Sequence, residues 1–266
     1  MITERIQNQD IDLLNELQPP GWEDIRPYFY YYISSPSCDP IKISVDNKIA
    51  AVGTTIRHLD TAWLAHVIVH PDFRNNGLGL ALTEALINRL DSEKIKTVYL
   101  DATDMGYPVY KKIGFEVEAE YIHLDGDLIN QNLNNPAAVI PFQEKFRDAI
   151  LQLDKQTSGE NRGLILYDHC KSSLIYLKDG IVCGVYFPHF FEKAIIANDP
   201  EAGTELMKLR MRVNNKFRFP IENQSGIYFL QQNNYQKTRT SRKMILGIKR
   251  EYSGEYNYNR ISGGIG

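Results

Sequence analysis

A strand-proline-helix pattern occurs twice in this chain, and few folds accommodate both copies. Ala65-His66-Val67-Ile68-Val69-His70-Pro71 is a short apolar strand ended by X-Pro, with a helical segment after it. Ala194-Ile195-Ile196-Ala197-Asn198-Asp199-Pro200 can be laid over it without shifting the proline. Further along, Tyr110-Lys111-Lys112-Ile113-Gly114-Phe115 lies over Leu230-Gln231-Gln232-Asn233-Asn234-Tyr235. Gly and Asn best tolerate a left-handed helix end, so Gly114 and Asn234 are physically equivalent. The chain reads as a degenerate duplication of one α/β unit. Its 266 residues suit two units, because a domain takes about 150.

The elements can be placed coarsely. Asp10 to Leu17 reads as a helix with an acidic cap, and Trp22 to Ile33 as a second, containing the cluster Tyr28-Phe29-Tyr30-Tyr31-Tyr32. Strands are expected at 41–45, 49–57 and 62–69, with Asp46-Asn47 as a hairpin turn. Leu78, Leu82, Ala85, Leu86 and Leu90 recur at helical spacing. A strand at 98–102, a short helix at 108–113 and a strand at 115–124 complete the half. Asp125 to Pro136 is rich in Asn, Asp and Gly and reads as a linker, which predicts units at 1–128 and 136–266. Beyond it we expect a helix at 142–153, a hairpin at Lys178-Asp179-Gly180, a strand at 193–197, a helix at 201–213 and paired strands to the end.

Several function classes are disfavoured. With 30 basic against 33 acidic residues the net charge is -3, so no global field advertises nucleic acid or a membrane surface. No apolar run reaches the roughly 20 residues that span a bilayer, and Met1 to Asp10 is polar where a secretory signal needs an apolar stretch. Cys38, Cys170 and Cys183 are too few and scattered for a disulfide framework or a metal site. A cytoplasmic protein is expected, with Cys183 a buried structural thiol.

The strongest chemical signal runs from Val67 to Gly79, including Arg74-Asn75-Asn76-Gly77-Leu78-Gly79 at a strand-to-helix junction. Glycines let backbone approach a ligand closely, and the N–H groups of a first helical turn favour an anion such as pyrophosphate. The absence of Gly-Lys-Ser/Thr excludes a nucleoside-triphosphate loop, and Leu82 occupies the third glycine position of a dinucleotide fingerprint.

Arg74-x-x-Gly77-x-Gly79 after an apolar strand resembles the coenzyme A loop of the GNAT superfamily of N-acetyltransferases. Tyr110 to Phe115 is similar to that superfamily's second recurring motif. The resemblance covers roughly residues 1 to 125. Asp101-Ala-Thr103, Gly106-x-Pro108-x-Tyr110, Arg242 to Gly247 and the Ser262-Gly-Gly tail resemble a tandem branch whose second copy is degenerate. The resemblance implies an α/β fold of two GNAT-like units, each a mixed central sheet flanked by helices.

It also implies acetyl-CoA as acyl donor and direct transfer to a primary amine, either a small molecule or a peptide. Arg74, Asn75, Asn76, Gly77, Leu78, Gly79 and Leu80 would bind the pyrophosphate. A splayed strand, here Val67, Ile68 and Val69, would bind pantetheine and thioester. Tyr110 stands where the family's general-acid tyrosine stands. An amine with pKa about 10.4 must lose a proton, and Asp101, His66 and His70 are candidates to take it, beside a water chain. Many relatives carry Asn where Thr103 stands, and basic residues where Asn75 and Asn76 stand.

The second copy has Glu201-Ala-Gly203-Thr-Glu in place of the loop and Leu230 in place of the tyrosine, so it is expected to bind no coenzyme A and to shape the acceptor site or support the structure. Tyr28 to Tyr32 could line an acceptor pocket or pack a helix face. Lys208, Arg210, Arg212, Lys216 and Arg218 read as a solvated face. The rival function is a non-catalytic coenzyme A sensor or partner-binding protein. A homodimer is compatible with the sequence, and neither metal nor nucleic acid is expected.

Overall fold

The computed structural model describes residues 2–129 and 135–266, so positions 130–134 of the expected linker lie outside the described residues. The chain divides into two compact units. One runs to Glu116 and includes Met244–Ile248; the other comprises Val117–Lys243 and Lys249–Gly266. These bounds differ from two consecutive halves, because a short late segment belongs to the first unit.

The first unit begins with strand β1 (Ile2–Arg5), a 3-10 helix (Asn8–Leu17) and helix α1 (Arg26–Ser34). Strands β2 (Cys38–Val45), β3 (Lys48–Arg57) and β4 (Thr61–Val69) follow, then helix α2 (Leu78–Asn88), strand β5 (Thr97–Ala102) and helix α3 (Tyr107–Ile113). The Asp46-Asn47 turn has both residues at positive φ, 48° and 62°, the backbone a two-residue hairpin requires. Strands β1 to β4 pair antiparallel in sequence order, and β5 lies parallel to β4. A parallel crossover needs a covering helix, and α2 supplies it. Leu82 and Leu86 are fully buried with Ile41, Ile43, Leu64 and Leu100 in one core. Each contributes about 2 kcal/mol by leaving water. Met244 joins that core, and Ile248 carbonyl oxygen accepts a 2.7 Å hydrogen bond from Thr97 Oγ1.

The parallel register joins Thr61 to Thr97, Ala62 to Val98 and Trp63 to Tyr99, and ends there. β4 continues to Val69. Its second half is therefore splayed from β5.

The second unit takes in strand β6 (Glu116–Asp125), strand β7 (Val139–Pro141) and helices α4 (Arg147–Ser158) and α5 (Gly163–Cys170). Then come strands β8 (Leu174–Lys178), β9 (Ile181–Tyr186) and β10 (Ile195–Ala197), helix α6 (Pro200–Met211) and strand β11 (Lys216–Pro220). Helix α7 (Gln224–Gln232), strand β12 (Gln236–Gly247), which passes into the first unit at Met244, and strand β13 (Asn257–Asn259) follow. Among the described residues, β13-β10-β9-β8-β7 form a sheet of their own, antiparallel in each pair with a known register, rather than the mixed sheet expected of each copy. β11 pairs antiparallel with β6.

Helix α7 interrupts the paired strands expected after the 201–213 helix. Ile227, Tyr228 and Phe229 favour strands, but Asn223 caps the Gly226 N–H at 2.7 Å and Gly226 and Leu230 bury one helical face. Helix α5 and β1 were not anticipated either, and the helix expected from 142 starts at Arg147. Cys183 is half-buried rather than buried. Nor is the basic run a solvated face throughout. Arg210 is 1% exposed, lies over the Phe217 ring at 4.4 Å and donates to the Glu192 and Lys193 carbonyls.

Candidate active site

The junction between β4 and α2 is shaped by backbone conformation. His70 Nδ1 accepts from the Asp72 N–H at 3.2 Å, which closes a 3-10 turn at Pro71–Phe73. Arg74 Nε then donates to the Val69 carbonyl at 3.2 Å, fastening the loop to the last residue of β4. Asn75 has φ 63° and Gly77 φ 77°. Asn tolerates that left-handed region and Gly is indifferent to it.

Gly77 is the N-cap of α2, and no side chain caps it. The first intrahelical bond runs from Ala81 N to Gly77 O at 3.0 Å. The amides of Leu78, Gly79 and Leu80 precede it and point along the helix axis from its N-terminus. Three N–H groups at the positive end of an eleven-residue helix favour an anion there. Val69 Cγ2 would lie 3.8 Å from a β-carbon on Gly79, so strand end and helix start are in contact.

Tyr110 lies on α3, 8% exposed, against Phe115. A β-carbon on Gly106 would fall 2.7 Å from Tyr110 Cε2. That glycine leaves room for the ring, a role not read from the sequence. Burial holds the Tyr110 phenol well above the ordinary tyrosine range, and the Asp101 carboxylate on β5 adds to the rise. The two residues expected to be catalytic are thus electrostatically coupled. Thr103 supplies the turn before α3: its hydroxyl accepts from Gly106 N at 3.3 Å and its carbonyl from Tyr107 N at 2.9 Å.

The histidine candidates separate. His70 is used as a turn cap. His66 sits inside β4 among Trp22, Tyr28, Phe29 and Tyr32, with Nδ1 2.9 Å from Tyr32 Oη. Phe29 and Tyr32 are buried, so the aromatic cluster of α1 packs on this imidazole.

The corresponding junction in the second unit is closed by the chain itself. Asp199 Oδ1 accepts from Glu201 N at 2.9 Å and Ala202 N at 3.0 Å, and Lys178 Nζ lies 2.8 Å from Asp199 Oδ2. The Lys178 hydrogen bond is the main cause holding the Asp199 carboxyl below its ordinary range. Asp before Pro at a helix start is an N-cap signature visible in the sequence. The two motif ends still match: Phe115 N bonds Tyr110 O at 3.1 Å, Tyr235 N bonds Leu230 O at 3.0 Å, and Gly114 and Asn234 have φ 106° and 64°.

A splayed strand thus leads into an uncapped helix N-terminus, with a buried tyrosine after the next strand. Residues 30–126 match the acetyltransferase (GNAT) domain, and the chain carries a GNAT acetyltransferase domain there. It is 33% identical over 78 residues to the [ribosomal protein bS18]-alanine N-acetyltransferase of Salmonella typhimurium, covering 28% of this chain and 53% of that protein. It is 29% identical over 83 residues to the glucosamine 6-phosphate N-acetyltransferase of Trypanosoma brucei brucei, covering 31% and 53%. The chain thus spans about half the length of the curated relatives it matches. The crystal structure of a candidate acetyltransferase from Pyrococcus horikoshii shares the fold over 100% of this chain and 95% of its own, with TM-score 0.83 at 17% identity. Among the described residues no helix is long and apolar enough to cross a membrane.

Proposed function

We propose that the first unit transfers an acetyl group from acetyl-CoA directly to a primary amine. The observation that carries this reading is the β4–α2 junction, where an uncapped helix N-terminus follows a strand splayed from its neighbour. The α2 amides and Arg74 bind the pyrophosphate, and Val67 to Val69 present backbone to pantetheine and thioester. The amine attacks the thioester carbon, and the tetrahedral oxyanion is stabilised by backbone N–H donors. Collapse breaks the C–S bond, and Tyr110 protonates the departing thiolate. Burial, with the Asp101 charge adding to it, keeps Tyr110 in its protonated form for this step. Two curated relatives are N-acetyltransferases, one of a ribosomal-protein alanine and one of glucosamine 6-phosphate. That supports the nucleophile class and leaves the choice of acceptor to the test.

The second unit, with α6 capped by Asp199 and Leu230 at the tyrosine position, binds no coenzyme A in this reading. Calorimetric titration with acetyl-CoA tests the whole scheme, followed by thiol release with an alanyl peptide, glucosamine 6-phosphate, spermidine and glycinamide. One saturable site per chain and amine-dependent thiol release support it. No binding at millimolar acetyl-CoA overturns it.

A further inference from the structure

The structure assigns to His66 the proton that the acceptor amine loses, an inference that rests on the transferase reading above. Its starting point is the backbone. β3 and β4 shift register between Val52 and Thr54, where Val52 faces Ile68 and Thr54 faces Ala65, so His66 and Val67 both oppose Gly53. This is a β-bulge, and His66 occupies it at φ 49°. A bulge with its first residue left-handed is a glycine position, and a β-carbon-bearing residue there has a backbone cost that glycine avoids. Among the described residues Asp, Asn or Gly fills the other positive-φ positions, with Phe191 and Lys193 as exceptions. At His66 the chain keeps an imidazole.

The imidazole is also held. Ring centroids of Tyr28, Tyr32, Phe29 and Trp22 lie 4.7, 5.6, 5.9 and 5.9 Å from that of His66. These contacts fix the plane, and the 2.9 Å bond between Nδ1 and Tyr32 Oη fixes the rotation about it. The bulge separates two faces: Val67 and Val69 pack on the core under α2, while His66 packs on α1. His66 is therefore the side chain next in sequence to the segment proposed to carry the thioester, on the opposite face from the helix that would hold the pyrophosphate.

The chemistry requires one tautomer. Proton transfer to Nε2 needs the form in which Nδ1–H donates to Tyr32 Oη, because only then is Nε2 the basic nitrogen. The N–C bond to the acetyl carbon forms, the C–S bond breaks, the amine proton goes to His66 Nε2 and the Tyr110 proton goes to sulfur. Solvent returns both residues to their starting forms. Asp101, coupled to Tyr110, is left to the acid side of the reaction, and His70 to its turn.

The test uses the full chain. Two-bond 15N–1H couplings in protein labelled with 15N-histidine report the tautomer without any acceptor, His66 being identified by its loss in His66→Asn. The Nδ1–H form is expected, and the Nε2–H form overturns the assignment. Asn tolerates the left-handed backbone, so His66→Asn should fold and bind acetyl-CoA within twofold of the wild type. Its kcat with the amines named above should fall about 100-fold, and an unchanged kcat overturns the assignment. His66→Gly relieves the backbone, and added imidazole should raise its rate, which a purely structural ring would not produce. Failure of the wild type to bind acetyl-CoA overturns the transferase reading instead.

Discussion

Gly106 faces the ring of Tyr110 so closely that a β-carbon on the glycine would come within 2.7 Å of Cε2. The glycine has φ -79° and ψ -28°, a conformation open to every residue. Its smallness therefore serves the tyrosine and not the backbone. Gly106→Ala should displace the ring and lower kcat about tenfold, since a poorly placed proton donor forfeits part of the roughly 10²–10⁴-fold such donors supply. Acetyl-CoA affinity, measured by calorimetry, should stay within twofold.

Removing the hydroxyl isolates the acid role. Tyr110→Phe should reduce kcat about 100-fold or more while leaving acetyl-CoA binding intact. A coenzyme A sensor would show an unchanged ligand response in this variant. Because burial and the Asp101 charge raise the phenol's pKa, the acid stays protonated through neutral pH. The wild-type alkaline fall assigned to Tyr110 should therefore lie above about pH 10, the ordinary tyrosine value. A pH–rate profile to that limit checks the sign.

The loop can be tested through its backbone. Gly77→Ala places a β-carbon in the left-handed region at about 1–2 kcal/mol, with no neighbouring atom within 4 Å to add a clash. We expect a lower melting temperature and weaker acetyl-CoA binding, and a smaller effect from Gly77→Asn. Equal losses in both variants would show that something other than φ governs this position.

The second unit gives a prediction of opposite kind. Asp199→Ala removes the cap of α6 and should destabilise the chain by about 1 kcal/mol, without raising the acetyl-CoA stoichiometry above one. The Asp199 pKa is depressed in the folded state, chiefly by the Lys178 hydrogen bond. Its contribution is therefore present above the unfolded carboxylate value, about 3.9, and fades as pH falls through the lower folded one. Chemical denaturation of wild type and Asp199→Ala between pH 7 and pH 2 should converge at the acid end.

Short-range chemistry was legible in the sequence. The Asp46-Asn47 turn, the Asp179-Gly180 turn, the glycine opening α2 and the matching ends at Gly114 and Asn234 depend on backbone preferences of a few adjacent residues, and those preferences are local. The order strand, loop, helix, strand, tyrosine followed from the same signals. Where local propensities competed, as at Ile227 to Phe229, burial of Gly226 and Leu230 decided for a helix. The departure of β4 from β5 after Trp63 was decided only by pairing between strands distant in sequence. So were the coupling of Asp101 to Tyr110, the cage that α1 builds around His66 and the recruitment of Met244–Ile248 to the first unit. Apart from Asp101 and Tyr110, which a strand end and a turn bring together, each needs residues tens or hundreds of positions apart to share one core. No local preference encodes that.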